Sequence, residues 1–234
     1  MDQSRDRSPG GVVLGAAFVL GAAALCWAAM RYAPTERTMG DVQRIFYMHV
    51  PAAMNGALAF VVAAIAGAGY LIRRGEAWDR VGRTAVELGT LWATVVLVTG
   101  PIWARSAWGA WWTWEPRLTT TLIAWLIYVG AILVRRIAHD PEQAARLASV
   151  IAIIGVLDLP IVYKSVDWWR GNHPIVFGKG GGGLAPEMRT AFLVGALAVT
   201  LVHAVLFCLR YRLARLEDRV AAAERLADER EGLR

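Results

Sequence analysis

Apolar residues along this chain fall into six long runs, near 11–30, 51–72, 84–104, 118–134, 147–163 and 189–209, separated by short polar segments. A helix that crosses the hydrocarbon core of a bilayer takes roughly 17–25 residues, and each run suits that length. Six spans with their connections use up the 234 residues, leaving no room for a separate soluble domain. The pattern predicts an all-α integral membrane protein with six transmembrane helices. Residues 1–210 form the six-span membrane domain, and residues 211–234 form a helical tail. The first run exceeds the 7–15 residue core of a signal peptide and no clear A-x-A site follows it, so it is read as a retained span.

Prolines punctuate the runs. Pro51 is expected to open span 2, where a missing N–H costs little, and Pro160 to kink the outer end of span 5. In the tail, Leu213, Leu216, Val220 and Ala223 keep a/d spacing for about two heptads, short of the three or four that a stable coiled coil uses. A solvated or membrane-surface helix is expected there, with docking to a cytoplasmic subunit as the alternative.

Composition agrees with the runs: 56% of residues are apolar and 19% charged, below the quarter usual in soluble domains. The net charge of +6 would admit a nucleic-acid partner, but its placement argues against one. Sixteen of the 25 Lys and Arg residues lie on one set of alternate connections, among them Arg73, Arg74, Arg80, Arg83, Arg135, Arg136 and Arg146. The basic side is normally cytoplasmic. Both termini are therefore expected inside, and the connections 31–50, 105–117 and 164–188 outside, with anionic lipid as a secondary partner. The expected location is a bacterial inner membrane, or an organelle descended from one.

Cys26 and Cys208 are expected near opposite ends of the bundle, too far apart for the Cα separation of about 7 Å that limits a disulfide. No C-x-x-C-H occurs, so the chain does not hold haem by thioether bonds. The segment "FGKGGGGLAP" puts its lysine before the glycines and lacks the strand and helix of a phosphate loop, so it reads as a spacer.

The candidate chemistry lies on the outward side. The segment "SAWGAWWTWEPRLTT" at 106–120 holds four of the eleven tryptophans, and with Trp103 it makes five indoles in twelve residues. An interfacial aromatic belt accounts for Trp27 or Trp125 but not for that density. If the stretch is helical, Trp108, Trp111, Trp112 and Glu115 share one face and form a platform along the outer leaflet. Of the four histidines, His139 sits in an inward charged loop. His203 lies inside span 6, where an ionisable group is a functional candidate unless a neighbouring helix satisfies it. His49, in "RIFYMHVPAAM", and His173, in "DWWRGNHPIVF", lie on the tryptophan side and together could supply two axial nitrogens. A bare metal ion would use the imidazoles but not the indoles. A haem would use both, with arginine forks for its propionates. Arg44, Arg105, Arg117 and Arg170 are near.

"WGAWWTWEPRLT" resembles the signature W-G-x-W-W-x-W-D-x-R-L-T of the haem-handling membrane proteins of cytochrome c biogenesis. "RIFYMHVPAAM" and "LPIVYKSVDWW…H" resemble the two histidine-bearing loops of the cytochrome c maturation protein C family. The likeness runs in order from about residue 40 to 210. It implies haem b (iron protoporphyrin IX) at the outer face, ligated by His49 and His173 and surrounded by Trp108, Trp111, Trp112, Trp114, Glu115, Arg117 and Arg44. It also implies delivery to a membrane-anchored haem chaperone in concert with ABC transporter subunits, a carrier's task more than an enzyme's. Glu115 departs from the Asp of the signature, W-E-P-R leans toward the W-D-P-K form of larger single-complex cytochrome c synthases, and the last loop is longer than the family's. Asp158 stands where a neutral polar residue is expected. Two rivals remain. A lyase acting alone would need a recognition surface for its peptide and usually a large extra outward domain. A non-catalytic transporter subunit would use the tryptophans as a docking surface.

Overall fold

The computed structural model describes residues 9–171, 173–174, 176 and 183–232, and among them the regular structure is helical with no strand. The helices are α1 (Pro9–Trp27), α2 (Phe46–Arg73), α3 (Glu76–Trp108), α4 (Pro116–Ile137), α5 (Pro141–Gly155), α6 (Asp158–Trp169) and α7 (Pro186–Gly232). They make six segments long and apolar enough to cross a membrane, with α5 and α6 together forming the fifth. Each of the six apolar runs falls within one of these segments. The helices run up and down, so α2, α4 and α7 start at the end where α1, α3 and α6 finish.

Local chemistry sets the boundaries. Two helices start by the same device, a carboxylate followed by proline. The Glu115 side chain accepts the backbone N–H groups of Arg117 and Leu118, and Pro116 is the first residue of α4. Asp140 does the same for Glu142 and Gln143 ahead of Pro141 and α5. The side-chain oxygen satisfies donors that lack helical partners, and proline has no donor to waste. Three helices end in the left-handed conformation that closes a last turn: Arg74 at φ 53°, Gly109 at φ 76° and Arg170 at φ 51°.

The two prolines behave differently from expectation. Pro51 does not open a helix; it lies inside α2, whose first residue is Phe46. Without an N–H, Pro51 cannot bond to the carbonyl of Tyr47 four residues back. Gly195 of α7 comes up to that carbonyl so closely that a Cβ on it would lie 2.7 Å from the oxygen. Nearby, Asn55 donates to the carbonyl of Pro51 at 2.9 Å and to the Thr200 hydroxyl at 3.2 Å, tying α2 to α7. Pro160 does interrupt the fifth segment, and the interruption is a full break at Val156–Leu157. Pro160 falls in the first turn of α6, where N–H groups have no helical acceptor.

α2 packs on α3, α5 and α7, while α1 packs mainly on α7. Small residues allow the approach, as expected where lipid removes most of the hydrophobic drive between helices. A Cβ on Gly67 would meet the Ser149 carbonyl at 3.0 Å, and one on Gly56 would meet Trp92 at 3.3 Å. Phe60 of α2 stacks on Tyr128 of α4 with centroids 3.6 Å apart and planes 6° from parallel. The far end of the bundle is charged. Arg80 and Arg83 of α3 each reach Asp218 of α7 at 3.0 Å, Arg210 pairs with Glu87, and Arg135 with Asp79. Residues 211–232 thus continue α7, and their first turns are held against α3 by ion pairs.

Candidate functional site

The up-and-down course gathers the start of α2, the end of α3, the start of α4 and the end of α6 at one end of the bundle. His49 sits in the first turn of α2, with its Nδ1 2.8 Å from the Thr99 hydroxyl of α3. Thr99 has one proton, and it donates that proton to the Val95 carbonyl at 2.7 Å. The hydroxyl therefore accepts from His49, so in the neutral imidazole Nδ1 carries the proton and Nε2 keeps its lone pair. A metal-ligating histidine needs this arrangement, the second nitrogen bound and the first left open.

His173 follows α6 by four residues. The Trp103 and Trp108 rings flank its imidazole, each with its centroid 6.3 Å away, and they meet each other edge to face at 5.1 Å. Its Nδ1 is 3.9 Å from Glu115 Oε2 and has no hydrogen-bond partner among the described residues. Burial, with smaller contributions from the Arg117 guanidinium and His49, pushes the His173 imidazole down to about 3. It is neutral at physiological pH, so its contact with Glu115 is not an ion pair. His49 meets Thr99 and His173 meets Trp103, one turn further along α3, so the two imidazoles lie beside one stretch of that helix.

The tryptophan segment does not form the helix that would make a platform. α3 ends at Trp108, and Gly109 and Trp114 both have positive φ, 76° and 52°. A helix cannot pass through such positions. The segment from Gly109 to Glu115 is a loop, and it turns its indoles in different directions. Trp108 faces His173. Trp112 is half-buried and meets the Trp114 ring edge to face at 5.7 Å. Trp111 and Trp114 are 59% and 70% exposed. An open cavity of about 560 Å³ lies between this loop and the end of α6, lined by Trp108, Trp114, Glu115, Trp169, Arg170 and Gly171.

The arginines are placed as braces. Arg44 donates to the carbonyls of Ala29 and Ala33 at 2.6 and 3.0 Å and pairs with Asp41, closing the connection from α1 to α2. Arg117 donates to the Tyr163 carbonyl at 2.9 Å and to that of Val162, joining α4 to α6. Arg105 donates to the Gly109 carbonyl at the end of α3. Elsewhere, His139 is exposed. His203 is buried away from this end and accepts a hydrogen bond from the Trp92 indole at 2.8 Å. Asp158 is buried at the start of α6, with Oδ2 lacking a partner among the described residues. Most of the glycine-rich spacer, 177–182, lies outside the described residues.

Two residues of the site carried no signal on their own. Thr99 reads as filler within an apolar run, although its i, i+4 relation to Trp103 puts both on one face of α3. Trp169, at the rim of the cavity, lies in the stretch DWWRGNH, whose evident feature is His173.

The heme exporter protein C family model matches residues 8–226. The chain belongs to the heme exporter protein C family. It is 34% identical over 194 residues to a Heme exporter protein C of Bradyrhizobium diazoefficiens, covering 82% of this chain and 74% of the relative. A ccmC-like mitochondrial protein of Arabidopsis thaliana, named for cytochrome c biosynthesis, is 29% identical over 231 residues, with 98% and 88% covered. The Heme exporter protein C of Escherichia coli K12 is 34% identical over 142 residues, with 61% and 58% covered. With six spanning helices and bacterial relatives of this family, the chain is a multi-pass inner-membrane protein.

Members of the heme exporter protein C family take their name from a large flat ligand, and the donor set here fits one. Among the described residues, no group of three or more His, Cys, Asp and Glu could hold a bare metal ion. What the site offers is two imidazoles and a wall of indoles.

Proposed function

We propose that this protein holds haem b at the outer end of the bundle, with His49 and His173 as axial ligands, and delivers it to a membrane-anchored haem chaperone in concert with ABC transporter subunits. The observation that carries the reading is the pair of imidazoles, one with Nδ1 bound to Thr99 and Nε2 left open, and the other set among indoles. When bound, haem would supply the iron and the vinyl groups that a partner joins to a cytochrome.

The chain's own part is positional. Thr99 holds the His49 proton at Nδ1. Trp103 and Trp108 restrain the His173 ring and keep water from it, since each indole buries a large apolar face. Trp112 and Trp114, which meet edge to face in the loop, would cover the haem face. Trp111 and Trp114, together with Trp168 and Trp169 of α6, leave an exposed aromatic rim. Such a rim is the kind of patch that marks a docking surface, and it supports hand-over to a partner. Arg44 and Arg117 hold the connections that carry the ligands, and Arg170, which lines the cavity, would take a propionate. The basic residues at the far end, by the positive-inside rule, support an outward-facing rim.

The test is the absorption spectrum of the purified protein. It should show low-spin haem with two imidazoles. His49→Ala or His173→Ala should remove that spectrum, and His139→Ala should leave it. Survival of the spectrum in both single variants overturns the assignment.

A further inference from the structure

We propose that Glu115 is the positioning residue of His173. The carboxylate that caps α4 is also the acceptor for the His173 Nδ1–H, and that bond turns Nε2 toward the ligand. This rests on the reading of His49 and His173 as axial ligands.

Glu115 is 6% exposed, and only half of its carboxylate is used. Oε2 takes the N–H groups of Arg117 and Leu118 at 3.0 and 3.2 Å. Oε1 is buried with no partner among the described residues, and so is His173 Nδ1. Buried polar atoms without partners are uncommon in native proteins and call for an explanation. Here an orphaned acceptor and an orphaned ring nitrogen belong to side chains only 3.9 Å apart at Nδ1 and Oε2. A shift of about 1 Å would bring the imidazole within the 2.7–3.2 Å range of a hydrogen bond.

The surroundings hold the pair in register. Pro116 confines Glu115 to extended backbone, φ −59° and ψ 142°, which fixes the direction from which the carboxylate arrives. Gly171, two residues before His173, lies against that carboxylate. A Cβ there would be 2.3 Å from Oε1, so only glycine lets the loop come this close. The Trp103 and Trp108 rings restrain the imidazole. The motif W-E-P-R thereby couples the first turn of α4 to a ligand in a different loop.

The two histidines then have unequal partners. His49 donates to a neutral hydroxyl, and His173 is given a carboxylate. A carboxylate acceptor raises the basicity of the ligating nitrogen, and losing such a partner typically weakens metal binding about 10–100-fold. His173 is the more strongly donating of the two and favours ferric haem.

The test compares Glu115→Gln, Glu115→Asp and Gly171→Ala in the full-length protein with bound haem. Glutamine keeps an amide oxygen for the α4 cap. Glu115→Gln should raise the reduction midpoint potential, change the ferric low-spin electron paramagnetic resonance spectrum and speed haem dissociation by about 10–100-fold. Glu115→Asp should restore the parental potential in large part. Gly171→Ala, which forces loop and carboxylate apart without touching either charge, should reproduce the glutamine effect. An unchanged potential and spectrum in both Glu115→Gln and Gly171→Ala overturns the proposal. If the two ligand variants His49→Ala and His173→Ala retain the low-spin spectrum, the underlying ligand assignment fails instead. If they lose it while Glu115→Gln and Gly171→Ala both match the parent, only the role of Glu115 fails.

Discussion

His49 and Thr99 stand 2.8 Å apart across the contact between α2 and α3, and Thr99 gives its own proton to the Val95 carbonyl at 2.7 Å. One hydroxyl thereby fixes both the tautomer and the orientation of an imidazole fifty residues away in sequence. Thr99→Val keeps the shape of the side chain and removes the acceptor. It should weaken haem binding by about 10–100-fold, the usual cost of losing a partner behind a ligand, while Thr99→Ser should bind like the parent. Haem titration of the purified variants measures this, and equal affinity for Val and Ser would show that His49 needs no partner.

The approach of Gly195 to Tyr47 gives a test of the fold. Pro51 leaves the Tyr47 carbonyl without its helical donor, and α7 closes on that spot with a glycine. Gly195→Ala places a methyl group 2.7 Å from the oxygen, so α2 and α7 must separate. The expected loss is about 1–3 kcal/mol, typical of overpacking. Gly130→Ala is the control: nothing lies within 4 Å of a Cβ there, and alanine in a helix should stabilise by about 0.5–1 kcal/mol. Resistance to heating in detergent should rank Gly130→Ala first, then the parent, then Gly195→Ala.

Much of this was legible in the sequence, and the rest was hidden for physical reasons. The six spans followed from run length alone, because lipid tolerates few polar residues and each run is a direct record of bilayer thickness. The clustering of His49, His173 and the tryptophan segment at one end followed from counting spans. The Glu115–Pro116 pair is a helix-start signal as well as candidate chemistry, as Asp140–Pro141 shows by the same device. The platform helix failed because periodicity says which residues would share a face, not whether the backbone can stay helical through Gly109 and Trp114. Pro51 has the look of a helix start because the helix that runs through it is packed by Gly195, on a helix that no local pattern connects to it. Thr99 was silent for the same reason.

Burial holds the His173 imidazole near 3, against 6.5 in an exposed chain. Between those values protonation favours the unfolded chain, so this group lowers stability as the pH falls from 6.5 toward 3. In the folded protein the ring is already neutral through that window and, as a ligand, would enter the coordination sphere without losing a proton. Haem binding should therefore stay level from pH 7.5 to 5.5. A fall in affinity centred near 6.5 would show that His173 is solvated in the free protein.

Orientation is tested separately. Arg80, Arg83, Arg135 and Arg210 gather at the end opposite the indoles, and the basic end is expected to be cytoplasmic. A reporter fused after Arg234 should be active only in the cytoplasm, and one inserted near Gly181 only outside. The reverse pattern would put the indoles inside and end the reading of an outward haem site.

Ligands and indoles should fail in different ways. Iron–imidazole bonds set the ligand field, whereas indole faces contribute buried area, about 25 cal/mol per Å² removed from water. Trp112 and Trp114 lie edge to face at 5.7 Å in a loop, with Trp114 largely exposed. Replacing either by Ala should lower haem retention or transfer to the chaperone and leave the spectrum of the remaining haem unchanged. Added imidazole should rescue His49→Ala or His173→Ala, because it refills a vacant position on the iron. It should not rescue a tryptophan variant, because the missing element is surface and not a nitrogen. Three quantities decide the matter, each read with and without imidazole: haem per protein, the spectrum of the bound fraction, and haem attached to the chaperone. Rescue of the tryptophan variants by imidazole, or full activity in a double Trp112→Ala, Trp114→Ala protein, would reduce these indoles to an interfacial belt. The site would then consist of His49, His173 and the two rings of α3, Trp103 and Trp108.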